Sequence, residues 1–152
     1  MTVYMDASIE ADLRLLAERA RLERIPVDAA LTAALARLEG WLERLAAELR
    51  VEHYGPGVGV EGQPQAYRLV VRRHAWDATR QAWGLKICDG TAYGEWRPMW
   101  TLQGAGRRRK AALVRALPEL LAGYARAVEA AGRGDGAAAE AVRTAARILS
   151  TG

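Results

Sequence analysis

Tyr67-Arg68-Leu69-Val70-Val71-Arg72-Arg73 alternates between two kinds of surface, the pattern of a half-buried strand. Tyr67, Leu69 and Val71 fall on one side, and Arg68, Val70 and Arg72 on the other. The same alternation recurs in residues 81–88, where Trp83, Leu85 and Ile87 stand against Gly84, Lys86 and Cys88. In residues 95–102 it sets Trp96, Trp100 and Leu102 against Arg97, Met99 and Thr101. Turn-forming residues separate the runs, at Asp77-Ala78-Thr79-Arg80 and at Asp89-Gly90-Thr91-Ala92-Tyr93-Gly94. The expectation is a three-stranded antiparallel meander with an aromatic-aliphatic face and a face carrying Arg68, Arg72, Lys86 and Arg97. Pro98 has no backbone donor, which places the third strand at an edge.

Downstream, Gly104-Ala105-Gly106 breaks the alternation and Arg107-Arg108-Arg109-Lys110 opens a helix. Its apolar stripe, Leu113, Leu117, Leu120, Leu121 and Tyr124, is expected to cover the Trp face of the sheet, with Pro118 kinking or restarting the helix. The turn-rich Gly132-Arg133-Gly134-Asp135-Gly136 leads into an Ala-rich helix over residues 137–149, poor in large apolar residues and suited to a protein partner. Four cations in a first turn oppose the helix dipole by about a few tenths of a kcal/mol each. A docked phosphate would reverse that sign, because free amides, dipole and guanidiniums would all favour it.

Upstream, residues 53–65 are crowded with Gly and Pro (Gly55, Pro56, Gly57, Gly59, Gly62, Pro64) and read as a linker. Before it, Thr2 to Met5 suits a short strand. Ile9, Leu13, Leu16 and Ala20 recur at helical spacing after an Asp6 or Ser8 cap. Pro26 falls in the first turn of a second helix, near Asp28. In that helix Leu31, Leu35, Leu38, Leu42, Leu45 and Leu49 step by 4 and 3, a heptad seam weakened only by Gly40. The fold class is therefore α+β: a front segment 1–52, a linker 53–65, and a sheet-plus-helices segment 66–152.

From Thr2 to Leu38 the chain resembles the ribbon-helix-helix family of dimeric DNA-binding proteins. The likeness rests on Thr-Val-Tyr-Met-Asp before the first helix, Leu13-Arg14-Leu15-Leu16-Ala17-Glu18-Arg19 within it, and Ile25-Pro26-Val27-Asp28 at the start of the second. It implies a homodimer whose paired ribbons present Thr2 and Tyr4 to the DNA major groove and bury Val3 and Met5 at the dimer core. The leucine seam would add to that dimer contact. The order sheet, Gly-x-Gly, basic run, helix also resembles the end of the double-stranded RNA-binding fold.

Charge follows the same division. The chain of 152 residues carries a net +4. Residues 1–50 hold 7 basic and 9 acidic side chains, and residues 51–152 hold 15 and 9. A polyanion is drawn to the back half first. With Cys88 as the only cysteine and His53 and His74 as the only histidines, neither a disulfide nor a thiolate zinc cluster is expected, and no cofactor. No signal peptide or membrane span is legible, so the expected setting is cytoplasmic. No residues are grouped for catalysis. The function expected is nucleic-acid binding, double-stranded DNA rather than RNA, by a dimeric regulator or accessory factor of a plasmid, phage or mobile element. Its contacts would be Thr2, Tyr4, Arg68, Arg72, Lys86, Arg97, Arg107, Arg108, Arg109 and Lys110. The competing expectation is a non-enzymatic assembly subunit that binds a protein partner through its helices.

Overall fold

The computed structural model describes residues 4–62, 67–76, 79–90 and 96–151. Four helices, α1 (Ala7–Ala20), α2 (Ala29–Leu49), α3 (Arg107–Ala130) and α4 (Ala137–Thr151), pack with an antiparallel sheet among these residues. Its strands lie in chain order: β1 (His53–Gly57), β2 (Tyr67–Ala75), β3 (Gln81–Gly90) and β4 (Trp96–Trp100). The α+β class follows, with one strand more than the alternation predicts.

The additional strand, β1, lies where a linker is expected. Pro56 is compatible with it because β1 is an edge strand, where a missing donor removes no ladder bond, and the register shifts between Tyr54 and Gly57. Gly55 has a specific reason. A Cβ there would stand 2.5 Å from Leu120 Cδ1 and 3.0 Å from the Leu69 carbonyl, so α3 rests directly on the strand backbone.

Capping side chains start the two front helices. Asp6 accepts from Ile9 N, and Asp28 accepts from Leu31 N, each at 2.9 Å. Pro26 consequently lies in the connection before α2, not in its first turn. There its carbonyl accepts from Arg19, whose guanidinium also holds the Asp28 carboxylate at 3.1 and 3.2 Å. That guanidinium lowers the Asp28 carboxyl below the ordinary carboxylate range. Arg37 of α2 grips the buried Asp12 of α1 with two bonds of 2.7 and 2.8 Å.

The heptad seam is filled from within the chain. Leu31, Leu35, Leu38, Leu42 and Leu45 are fully buried and Leu49 is nearly so. They join Leu13 and Leu16, the inner sheet face (Leu69, Val71, Leu85, Ile87), the stripe of α3 and Val142 of α4 in one core. Strict 4-3 spacing serves a helix buried along one face whichever surface covers it, so the seam is not a dimer contact. Thr2 and Val3 lie outside the described residues. Residues 4–6 form no strand. Tyr4 is buried instead of facing outward, and its carbonyl accepts from Trp41 Nε1 at 2.8 Å; Met5 packs half-buried on the same core. α3 runs unbroken through Pro118. α4 buries Ala138, Ala139, Ala141, Val142 and Ala145, a small-residue face already occupied by its own chain. Among the described residues, no helix is long and apolar enough to cross a membrane.

Gly40 is exposed in mid-helix, with no atom within 4 Å of where a Cβ would stand. Gly40→Ala should therefore stabilise the fold by about 0.5–1 kcal/mol. Calorimetry should show Tm rising by about 2–4 °C per kcal/mol.

Candidate functional site

On the side of the sheet away from the core lie Arg68, Val70, Arg72 and His74 of β2 and Lys86, Cys88 and Gly90 of β3, as the pairing Arg68↔Cys88 and Val70↔Lys86 requires. The edge strand completes this reverse face through a bulge. Trp100 pairs with Ile87 and faces inward, whereas Pro98 pairs with Cys88 and Trp96 with Gly90. The extra residue between the two registers reverses the alternation and turns Trp96 away from the core side expected for it. Gly90 favours this: a Cβ there would stand 3.0–3.3 Å from the Trp96 indole and would push the ring a few tenths of an ångström off the strand. Arg68 sits 5.2 Å from the centre of that ring.

Between residues 72–76 and 96–99 the reverse face opens into a cleft of about 500 Å³. Its floor is dry. Val70 and Cys88 are fully buried and His74 is 2% exposed. Burial pushes the Cys88 thiol up to about 12, so it is protonated at neutral pH. Burial also lowers the His74 imidazole to about 4, helped by the Arg72 and Lys86 charges and opposed by its bond to the Val70 carbonyl at 3.0 Å. The 3.9 Å approach of Cys88 Sγ to His74 Nδ1 thus joins two neutral groups, not a thiolate and an imidazolium.

The rim is cationic and aromatic. Arg72, Arg73 and Arg97 border the cleft with Trp76, Trp96 and Met99. None of the three arginines forms an ion pair among the described residues, although Asp89 lies opposite Arg97 in the register. Arg72 Nε is enclosed with no hydrogen-bond partner among those residues. In the front half Arg14, Arg19 and Arg37 are each paired with a carboxylate.

Lys86 departs from its expected place on an open basic face. It is 6% exposed and its ammonium is bound by Glu39 and, at 3.4 Å, by Glu43 of α2, leaving it 5.9 Å behind the Trp76 ring. A lone lysine on a buried surface needs a carboxylate nearby, and α2 supplies two. Arg109 is also removed from solvent. It donates to the Val58 carbonyl at 2.7 Å and packs 4.2 Å from the Tyr67 ring centre and 5.2 Å from that of Trp100. It therefore pins the chain after β1 to the sheet instead of offering its charge outward.

Arg107, Arg108 and Arg109 line a second hollow of about 570 Å³ with Tyr67 and Trp100. Among the described residues Arg107 and Arg108 reach only backbone carbonyls, of Val27 and Glu61, at 3.4 Å, and Lys110 reaches the Thr32 hydroxyl at 3.2 Å. Gly106 provides α3 with no side-chain cap. Of the expected contacts, Arg72 and Arg97 both border one cleft with Arg68 beside it, although the pairing Arg97↔Asp89 starts the Arg97 side chain from the other face of the sheet; Arg107 and Arg108 lie elsewhere, and Tyr4, Lys86 and Arg109 are internal. Arg73, His74, Trp76 and Trp96 are the cleft residues that the alternation does not point to. Trp76 adjoins the turn-forming residues 77–80, a usable signal of exposure; for Trp96 there was none. No known protein family, curated protein or solved structure matches the chain.

Proposed function

We propose that this chain is a nucleic-acid-binding protein, a regulatory or accessory factor, that receives a phosphodiester backbone at the cleft on the reverse face of its sheet. The observation that carries this reading is a cleft bordered by Arg72, Arg73 and Arg97, none of which has a carboxylate partner among the described residues. Unpaired guanidiniums in a concavity concentrate positive field and suit bidentate phosphate contacts. Arg107 and Arg108, at the uncapped start of α3, extend the cationic surface elsewhere on the molecule.

Binding of this kind is governed by counterion release. With three phosphates neutralised, affinity should fall by about 20- to 40-fold between 50 and 200 mM salt. Fluorescence anisotropy with a labelled oligonucleotide measures that slope. Arg73→Ala and Arg97→Ala, both at exposed positions, should each make the slope shallower by about 0.7–0.9. An absence of binding at the lowest salt, or slopes unchanged in both variants, would defeat the reading.

A further inference from the structure

We infer that the cleft takes an unpaired nucleotide, with Trp76 as the stacking platform for its base, so that the chain prefers single-stranded over duplex nucleic acid. This deepens the proposed function and rests on it. Large apolar side chains left exposed among the described residues are Leu22, Tyr54, Trp76 and Met99, and the last two border this one cleft. Isolated exposed apolar residues are ordinary; an indole and a thioether together at the rim of a cationic hollow form a surface with an occupant.

The geometry narrows what that occupant is. Trp76 is 38% exposed, and the Lys86 ammonium stands behind its ring, held there by Glu39 and Glu43. The indole is thereby both partly exposed and in contact with a fixed cation. The ring of Trp96, seated on Gly90 and accompanied by Arg68, forms the opposite wall. A cleft of about 500 Å³ is of ligand size and receives a base with its sugar, not the girth of a double helix. In a duplex every base face is covered by its neighbours, so an exposed indole gains nothing from paired DNA beyond its backbone. A base outside a duplex offers a π-face, and its phosphates reach Arg72, Arg73 and Arg97.

Stacking and phosphate contact separate experimentally, because stacking is nearly independent of salt. The full chain is titrated by anisotropy with labelled oligo-dT and oligo-U of 15 nucleotides (about the upper site size of a single-strand-binding domain) and with a hairpin duplex of matching length, at several salt concentrations. The single strands should bind more tightly than the hairpin. Trp76→Ala should weaken single-strand binding by about 5- to 150-fold with the salt slope unchanged, and should leave hairpin binding as it was. Trp76→Phe should recover most of the loss. Circular dichroism and Tm confirm that each variant is folded, as expected for an exposed position. Equal or tighter binding of the hairpin overturns the inference. So does single-strand affinity that is unmoved by Trp76→Ala but lowered by Arg97→Ala, a result that leaves the proposed function standing. No binding to any of the three probes overturns both.

Discussion

Glu39→Ala should destabilise this protein by about 3–5 kcal/mol, the cost of leaving a buried charge without its partner. The side chains of Lys86 and Glu39 are 7% and 10% exposed, so neither ion is restored to water when the other is removed. Glu39 has a second duty: one carboxylate oxygen accepts from the buried backbone amide of Leu102, just past β4, while the other holds the ammonium. Its truncation therefore orphans a cation and an amide together. Glu43 is half-exposed and 3.4 Å from the ammonium, and compensates only in part. A domain of this kind is held by about 5–15 kcal/mol in all, so the loss is a large fraction of its stability. Urea unfolding should show a lowered midpoint with an unchanged slope. Glu39→Gln, which retains an acceptor for Leu102, should cost less. Lys86→Met combined with Glu39→Gln should cost less than the sum of the two single changes, since no lone charge is left behind. A loss below about 1 kcal/mol for Glu39→Ala would mean that water reaches the pair, contrary to its burial.

The second large effect is a loss of stability in mild acid that traces to His74. In the folded chain its imidazole, 2% exposed, is held down to about 4 from an ordinary 6.5, first by burial and then by the nearby Arg72 and Lys86 charges. A depressed folded value means that the unfolded chain takes up the proton first. The stability linked to His74 is fully present above pH 6.5 and is lost as the pH falls through the window from 6.5 to about 4. The full difference amounts to about 3 kcal/mol. Carboxylates titrate in the lower part of the same window, so the informative quantity is a difference between variants. His74→Gln should be the less stable protein at pH 7.5, having lost a well-packed ring. The gap should then close, or change sign, by pH 4.5, as followed by urea midpoints at each pH. A gap constant across that range would show that His74 takes up its proton equally in the folded and unfolded chains, contrary to a depressed value.

Helices and the sheet were legible in different degrees, for physical reasons. Helical periodicity and side-chain caps are local, so α1, α2 and α4 and the stripe of α3 follow from spacing and from Asp6 and Asp28. β2 and β3 follow from alternation for the same reason. β1 was hidden because Gly55 and Pro56 are usually loop residues, and only the pressure of Leu120 against the strand explains the glycine. A heptad seam specifies that one helix face is buried without specifying by what; here the chain's own core supplies the cover. The arginines of the reverse face were in view along the chain, but which of them remain open was not. Lys86 and Arg109 are neutralised or enclosed by Glu39, Val58 and Tyr67, distant in sequence.

Composition, period and charge thus determined by themselves that the chain is α+β, that its core is aliphatic and helical, and that cations accumulate behind residue 50. Tertiary structure alone decided where those cations lie and which of them stay open. One bulged residue in β4 carries Trp96 across the sheet, and two glutamates of α2 draw Lys86 behind Trp76. Alternation is a property of consecutive residues. The face that a strand end presents depends on its register with a neighbour, and the partner of a buried charge depends on which helix the fold brings to it.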